Sequence, residues 1–222
     1  MDYKEYYRAY EERYKTAHRK GVSWSWDVGT PVVMEVLERY RIRKDQALLE
    51  LGCGEGRDAR RLLEAGYTLT ATDVSQEAIR YCREQMPAFG QHFQILDFLQ
   101  EDMGRQFDFI YAVAVIHMLV PDEDRNGLYQ FIRRHLNPGG IALICSMGNG
   151  AQEMQSDISQ AFMLQERDHE SGPMLVAATS CRMVSFDSFE AEIRRNALQI
   201  LETGLTEAPP EFDQLMYAVV TA

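Results

Sequence analysis

The sequence predicts an α/β protein built on a doubly wound, mostly parallel sheet that an antiparallel C-terminal hairpin completes. Three observations carry this. Short apolar runs alternate with helical patterns between Ala47 and Cys145, as successive strand–helix–strand units require. The first run, Ala47-Leu48-Leu49-Glu50-Leu51, enters Gly52-Cys53-Gly54-Glu55-Gly56, three glycines at alternate places with a helical pattern directly after them. The last two runs, 198–204 and 215–220, are joined by a short turn holding Pro209 and Pro210. That turn has no room for a helix, so the two strands must be antiparallel.

Composition narrows the function classes. The chain has 222 residues, 45% of them hydrophobic, which suits one domain with room for a cap or insertion. Its net charge is −11, from 34 acids against 23 bases. A nucleic-acid partner needs a basic surface, and none is visible. No apolar run approaches the ~20 residues of a membrane span. The start, Met1-Asp2-Tyr3-Lys4-Glu5, is charged and aromatic, unlike a signal peptide. Cys53, Cys82, Cys145 and Cys181 are widely spaced and form no metal-type pair, as reduced cytoplasmic thiols would be.

The elements follow in order. Residues 3–19 are expected to form one helix with Tyr3, Tyr6, Tyr7, Tyr10 and Tyr14 on a single face, packed on the domain or covering a ligand. A polar loop then carries two tryptophans, Trp24 and Trp26, whose apolar areas need partners. Pro31 opens an amphipathic helix to Tyr40. The first strand is 46–51, its helix Arg57–Glu64 is stopped by Gly66, and the second strand is 67–72. Asp73-Val74 ends that strand, and Asp73 could accept ribose hydroxyls or cap the next helix, 75–85. A third strand, 93–96, runs into Asp97-Phe98, and a fourth, from Phe107, into Val113-Ala114 and His117. Helix Asp122–His135 has three acids in its first turn. A turn at 136–140 and a fifth strand, 141–145, follow. From 147 to 183 the pattern loosens, as an inserted lid would, and Arg167, His169 and Arg182 there suit a solvated surface. A helix at 186–196, capped by Ser185 or Asp187, precedes the final hairpin. The expected division is a helical cap at 1–30 and a main domain at 31–222, with 147–183 as its lid.

The glycine string departs from the G-x-G-x-x-G of dinucleotide folds. With the strand before it and Glu50 two places ahead of the first glycine, Glu50-Leu51-Gly52-Cys53-Gly54-Glu55-Gly56 resembles motif I of class I S-adenosylmethionine-dependent methyltransferases. Trp26-Asp27-Val28-Gly29-Thr30-Pro31 resembles a segment of the thiopurine and tellurite-resistance groups, Phe107 to Leu119 resembles the family's fourth strand, and Leu136-Asn137-Pro138-Gly139-Gly140 resembles its turn before the fifth. The resemblance implies a seven-stranded Rossmann-like sheet and S-adenosyl-L-methionine as cofactor. It places Trp26 against the cofactor, Glu50, Gly52, Cys53 and Gly54 in the binding loop, and Asp73 and Val74 at the ribose. It also places Asp97 and Phe98 at the adenine, and Val113 and Ala114 as backbone contacts. Metal-dependent relatives carry a carboxylate where this chain has Val113, so no catalytic metal is expected.

Methyl transfer needs an aligned acceptor and a dry site more than a fixed catalytic motif. His117 is the first candidate base, beside a purely structural role for it; Tyr7, Tyr14 and Arg182 are weaker candidates for holding an acceptor. The expectation is methyl transfer to a small-molecule acceptor in the cytoplasm, without nucleic acid or membrane. Two alternatives stand beside it: a nicotinamide-dependent oxidoreductase and a non-catalytic cofactor-binding protein.

Overall fold

A computed structural model describes residues 3–210 and 212–222, with side chains from Glu5 onward. Met1, Asp2 and the Tyr3 side chain, which entered the reading of the chain's start, lie outside the described residues.

The helical elements are α1 (Ala9–Arg19), α2 (Pro31–Arg39), α3 (Arg57–Glu64), α4 (Gln76–Gln85), α5 (Asp122–His135) and α6 (Phe186–Arg195). The strands are β1 (Ala47–Leu51), β2 (Thr68–Asp73), β3 (Phe93–Ile95), β4 (Phe107–Val113), β5 (Leu136–Met147), β6 (Met154–Gln155), β7 (Leu164–Arg167), β8 (Met174–Ala177), β9 (Arg182–Met183), β10 (Gln199–Ala208) and β11 (Phe212–Thr221). Seven of them form one sheet in the order β10-β11-β5-β4-β1-β2-β3. The pairs β1–β2, β1–β4, β2–β3 and β4–β5 are parallel. β11 runs antiparallel to both β5 and β10, so the mostly parallel sheet with its antiparallel C-terminal hairpin is as the sequence predicts.

Both faces of this sheet are covered, which is why its central strands β1 and β4 are mostly apolar, with Glu50 and Asp108 as the charged exceptions. Leu48 of β1 packs with Val36, Leu37, Leu62 and Ile79 from α2, α3 and α4. Leu49 and Leu51, pointing the other way, pack with Phe131, Ile132, Phe189 and Ile193 from α5 and α6. Chain direction away from β1 reverses between β2 and β4. Such a switch point opens a crevice beyond the C-terminal strand ends, and ligands bind there.

One local expectation changes. The N-terminal helix is not continuous: a 3-10 stretch, Tyr3–Arg8, leaves helical geometry at Glu5 before α1 begins. The tyrosine row is split as a result. Tyr6 is buried and donates its hydroxyl to Asp124 Oδ2 at 2.8 Å, while Tyr7, Tyr10 and Tyr14 face the crevice. The string Leu136–Gly140 lies within the bounds of β5. Pairing with β4 jumps from Phe107↔Leu136 to Phe109↔Ile141, so 137–140 loop out of the ladder as the expected turn, with Gly139 at φ 78°. Within segment 147–183, read from the sequence as an insertion, β6 pairs with β9 and β7 with β8.

Candidate active site

The crevice at the switch point holds about 1060 Å³ of empty space, its mouth included. The loop after β1 forms its floor. Gly52 and Gly54 sit at φ 71° and 52°, where a side chain is strained. A Cβ at Gly52 would overlap Val115 Cγ2, and one at Gly54 would stand 2.7 Å from the Tyr14 hydroxyl oxygen. The loop therefore presents bare backbone to the cavity. Cys53 lines it too, and its N–H donates to Thr72 O at 2.8 Å.

Asp73, at the end of β2, organises two neighbours. Its Oδ2 accepts the Gly54 N–H and its Oδ1 the Ser75 N–H, each at 2.8 Å. Ser75 is the α4 cap, its Oγ accepting from Ala78 N at 3.0 Å. Burial pushes the Asp73 carboxyl up to about 6, although those two N–H groups oppose the shift. Each oxygen keeps a second lone pair for a ligand hydroxyl. Val74 lines the same wall.

Glu50 is 3% exposed, and its Oε2 has no hydrogen-bond partner among the described residues. Burial holds its carboxyl well above the usual range, with the nearby Asp58 adding to the rise. A buried acid with an unused oxygen is costly unless a ligand donor meets it. Asp58 lies beside it and accepts the N–H and hydroxyl of Thr30 at 2.6 and 2.9 Å. Arg57 Nε approaches Asp58 Oδ2 at 3.6 Å.

At the other end stands Asp97, 4% exposed. Its Oδ2 accepts the Tyr7 hydroxyl at 2.9 Å, Arg8 Nη2 at 2.7 Å and Gln100 Nε2 at 3.1 Å. Among the described residues its Oδ1 accepts only the longer Leu99 N–H, at 3.2 Å. The oxygen left for a ligand is thus Oδ1. Phe98, Val113 and Ala114 line the cavity between Asp97 and the glycine loop. Ala114 is held at φ 56°, its N–H donating to Cys145 O at 3.1 Å.

His117 also lines the cavity, in a short 3-10 turn after β4. Its Nδ1 is buried without a partner among the described residues. Burial and then the Arg125 guanidinium lower the imidazole to about 4, so the ring is neutral at physiological pH.

Trp26 is the site residue that the sequence misplaces. It is 39% exposed and does not line the cavity; Trp24 and Ser25 do. The backbone causes the exchange. The N–H groups of Trp24 and Ser25 both donate to Glu55, at 2.7 and 2.6 Å, which draws this part of the loop inward. Trp24 then lies 4.7 Å from the Arg13 guanidinium and stacks on His169 at 5.6 Å. Arg182 is likewise outside the cavity, donating to Val120 O and Asp122 Oδ1 at 2.7 and 2.6 Å. Among residues that sequence reasoning missed, Tyr10 lay within the tyrosine row. Phe212 gave no signal, because β11 brings it back from the far end of the chain.

The N-terminal wall of the crevice is tied to its floor. His18 bridges Glu55 and Glu77 at 2.7 Å each. Burial alone would lower its pKa, but hydrogen bonds to the two carboxylates outweigh that and leave it raised. Glu11 Oε2 accepts the Ser75 hydroxyl at 2.5 Å. Arg13, 5% exposed, donates to Ala177 O and Ala178 O at 2.6 and 2.7 Å and to Thr179 Oγ1 at 3.0 Å. Helix α1 and the 147–183 segment are therefore joined.

Among the described residues no helix is long and apolar enough to cross a membrane. Residues 49–142 match the family described as "Methyltransferase domain". The chain is 26% identical over 117 residues to the probable S-adenosyl-L-methionine-dependent methyltransferase TehB of Haemophilus influenzae, across 52% of this chain and 41% of that protein. It is 30% identical over 123 residues to an O-methyltransferase of Pyrenophora dematioidea, across 52% and 45%. The chain thus spans less than half the length of these curated relatives. Among solved structures, a 1,6-didemethyltoxoflavin-N1-methyltransferase of Burkholderia thailandensis, with 1,6-didemethyltoxoflavin and S-adenosylhomocysteine bound, matches with a TM-score of 0.73. That match covers 98% of this chain and 90% of the other at 16% identity, a likeness of fold.

Proposed function

We propose that this chain, which carries a class I S-adenosylmethionine-dependent methyltransferase domain, transfers a methyl group to a small-molecule acceptor by in-line displacement. The observation that carries the reading is the partnerless, buried Glu50 oxygen beside a bare glycine loop, with Asp73 and Asp97 along the same wall. These groups fit the cofactor. Asp73 would accept the ribose hydroxyls and Asp97 Oδ1 the adenine amino group. Glu50 would meet the ammonium of the amino-acid end, while Gly52, Cys53 and Gly54 offer backbone. Phe98, Val113 and Ala114 would pack on the adenosine. When bound, S-adenosylmethionine supplies the activated methyl group on its sulfonium.

The chain's own part is positioning and the exclusion of water. Tyr10, Tyr14, Trp24 and Phe212 wall the cavity with aromatic surface, which suits a small acceptor better than a polymer. Glu50, Asp58, Asp73 and Asp97 line it against Arg57, a balance that disfavours nucleic acid. His117, being neutral, can accept a proton from the acceptor. We take the described part of the 1–30 segment and 147–183 as one cover, on the strength of the Arg13 bonds. All four cysteines are free, which favours a reducing, cytoplasmic setting.

The test is a calorimetric titration with S-adenosylhomocysteine, with NAD as control ligand. Binding of S-adenosylhomocysteine alone is expected. Binding of NAD alone would overturn the assignment of the glycine loop.

A further inference from the structure

We infer that Arg125 and Ser180 are positioning residues for His117, holding its imidazole at the cavity wall through the backbone of the loop that carries it. This rests on the reading above that His117 faces the acceptor.

A histidine that handles a proton is ordinarily oriented by a hydrogen bond to its second ring nitrogen. His117 Nδ1 has no such bond among the described residues. Phe212 meets the ring edge-on, with centroids 6.2 Å apart, which limits tilt but supplies no direction. The orientation must then come from the main chain, and the main chain here is pinned at successive carbonyls. Arg125 Nη1 donates to Ile116 O at 2.8 Å and to Leu119 O at 3.2 Å, one on each side of His117. Ser180 Oγ donates to Met118 O at 2.6 Å. Arg182 Nη1 takes Val120 O at 2.7 Å. The Val120 N–H donates to the Tyr6 hydroxyl at 3.0 Å.

Arg125 is suited to the task because its other edge is held. It is 1% exposed and forms a two-pronged pair with Glu192, Nε to Oε1 at 2.9 Å and Nη2 to Oε2 at 2.7 Å. The Tyr129 hydroxyl also donates to Glu192 Oε2, at 3.0 Å. A planar guanidinium fixed on both edges places two carbonyls rigidly; a lysine ammonium cannot. Ser180, 2% exposed, adds a bond from the 147–183 segment, so that segment also steadies the His117 loop. Burial is the main reason that the ring stays neutral, and the Arg125 guanidinium is the charged group that acts on it. A loosened loop admits water and returns the ring toward an ordinary histidine.

The chain has 5 histidines, few enough to follow by nitrogen-15 NMR, with His117→Gln assigning the signal. At about pH 6 a ring titrating near 4 is about 1% imidazolium. Arg125→Lys and Ser180→Ala are expected to raise that fraction to about 10% or more, equivalent to a shift of at least about one pKa unit. Ser180→Thr, which keeps the hydroxyl, is expected to restore the wild-type signal. S-adenosylhomocysteine affinity in Ser180→Ala should stay within about threefold of wild type, because the cofactor wall is untouched. Should Arg125→Lys fail to fold, the two Ser180 variants decide the matter. Variants that lose thermal stability while His117 keeps its wild-type shift and neutrality would overturn the proposal. Wild-type protein that does not bind S-adenosylhomocysteine would instead overturn the cofactor assignment, with the NMR comparison unaffected.

Discussion

Asp73 makes ligand binding depend on pH in a way that can be worked from its surroundings. Its carboxyl is pushed up to about 6 because burial outweighs the Gly54 and Ser75 N–H bonds. Ribose hydroxyls donate to the ionised form, so the ligand must bind the carboxylate and expel any proton on it. At about pH 5.5, roughly one quarter of the groups are ionised; at about pH 7.5, nearly all are. Affinity for S-adenosylhomocysteine should therefore fall about fourfold between the two, close to 0.8 kcal/mol. The sign is fixed: an acid raised in the folded state binds more protons than its unfolded counterpart. The ligand-free protein thus loses stability as pH rises from about 4 to about 6, and ligand bonds offset that loss. Calorimetry in two buffers of different ionisation enthalpy should register a release of about 0.75 proton per ligand at about pH 5.5. Glu50 is also raised and also faces the cavity, so Asp73→Asn is the control that separates them. If Asp73→Asn keeps the full wild-type pH slope and proton release, Asp73 does not accept from the ligand and the ribose assignment is wrong.

Glu50→Gln should split stability from binding: urea denaturation at neutral pH is expected to show a more stable protein, because a buried acid whose charged form burial disfavours is replaced by a neutral amide, while S-adenosylhomocysteine affinity drops tenfold or more, about 1.4 kcal/mol. Gly52→Ala should lose binding through the clash with Val115 Cγ2 and a φ of 71°. Adding Val115→Ala should recover part of it in the same titration, leaving a strain of ~1–2 kcal/mol. Trp24→Ala is expected to weaken binding several-fold, since it also removes the Arg13 contact, worth about 0.5–2 kcal/mol. Trp26→Ala should stay within about twofold of wild type. Arg13→Met leaves Ala177 O and Ala178 O short of donors, at about 1–3 kcal/mol. Hydrogen exchange should then quicken in α1 and β8 together, and quickening in one alone would mean that they are not a single cover.

The parts of the fold that the sequence makes legible are those set by short-range chemistry. Arg57–Glu64 and Asp122–His135 stand where the helical pattern puts them, because period and neighbouring glycine or proline suffice to define them. Ser185 rather than Asp187 caps α6, a choice between two residues that both satisfy the local rule. The glycine loop and Asp73 are legible for the same reason: a strand, a turn without Cβ atoms and an acid at the next strand end form a local unit. Trp26 and Trp24 are not separable in this way. Their loop has no period, and which ring turns inward is decided by Glu55, some thirty residues on, accepting two N–H groups.

The N-terminal helix and the elements joined to it are the least legible regions because buried basic side chains hold them, and a basic residue in a sequence reads as solvated surface. Arg13, Arg125 and His18 all sit on helical patterns where an exposed charge is the ordinary expectation. Each is instead committed to acceptors on distant elements: Arg13 to carbonyls after β8, Arg125 to the His117 loop and Glu192, and His18 to two carboxylates. Once these partners are placed, the roles follow from geometry alone. A buried guanidinium whose donors meet carbonyls and other fixed acceptors cannot be moved without orphaning them. The elements that it joins, the N-terminal helix, the 147–183 segment and the His117 loop, are therefore expected to respond as one to whatever enters the cavity.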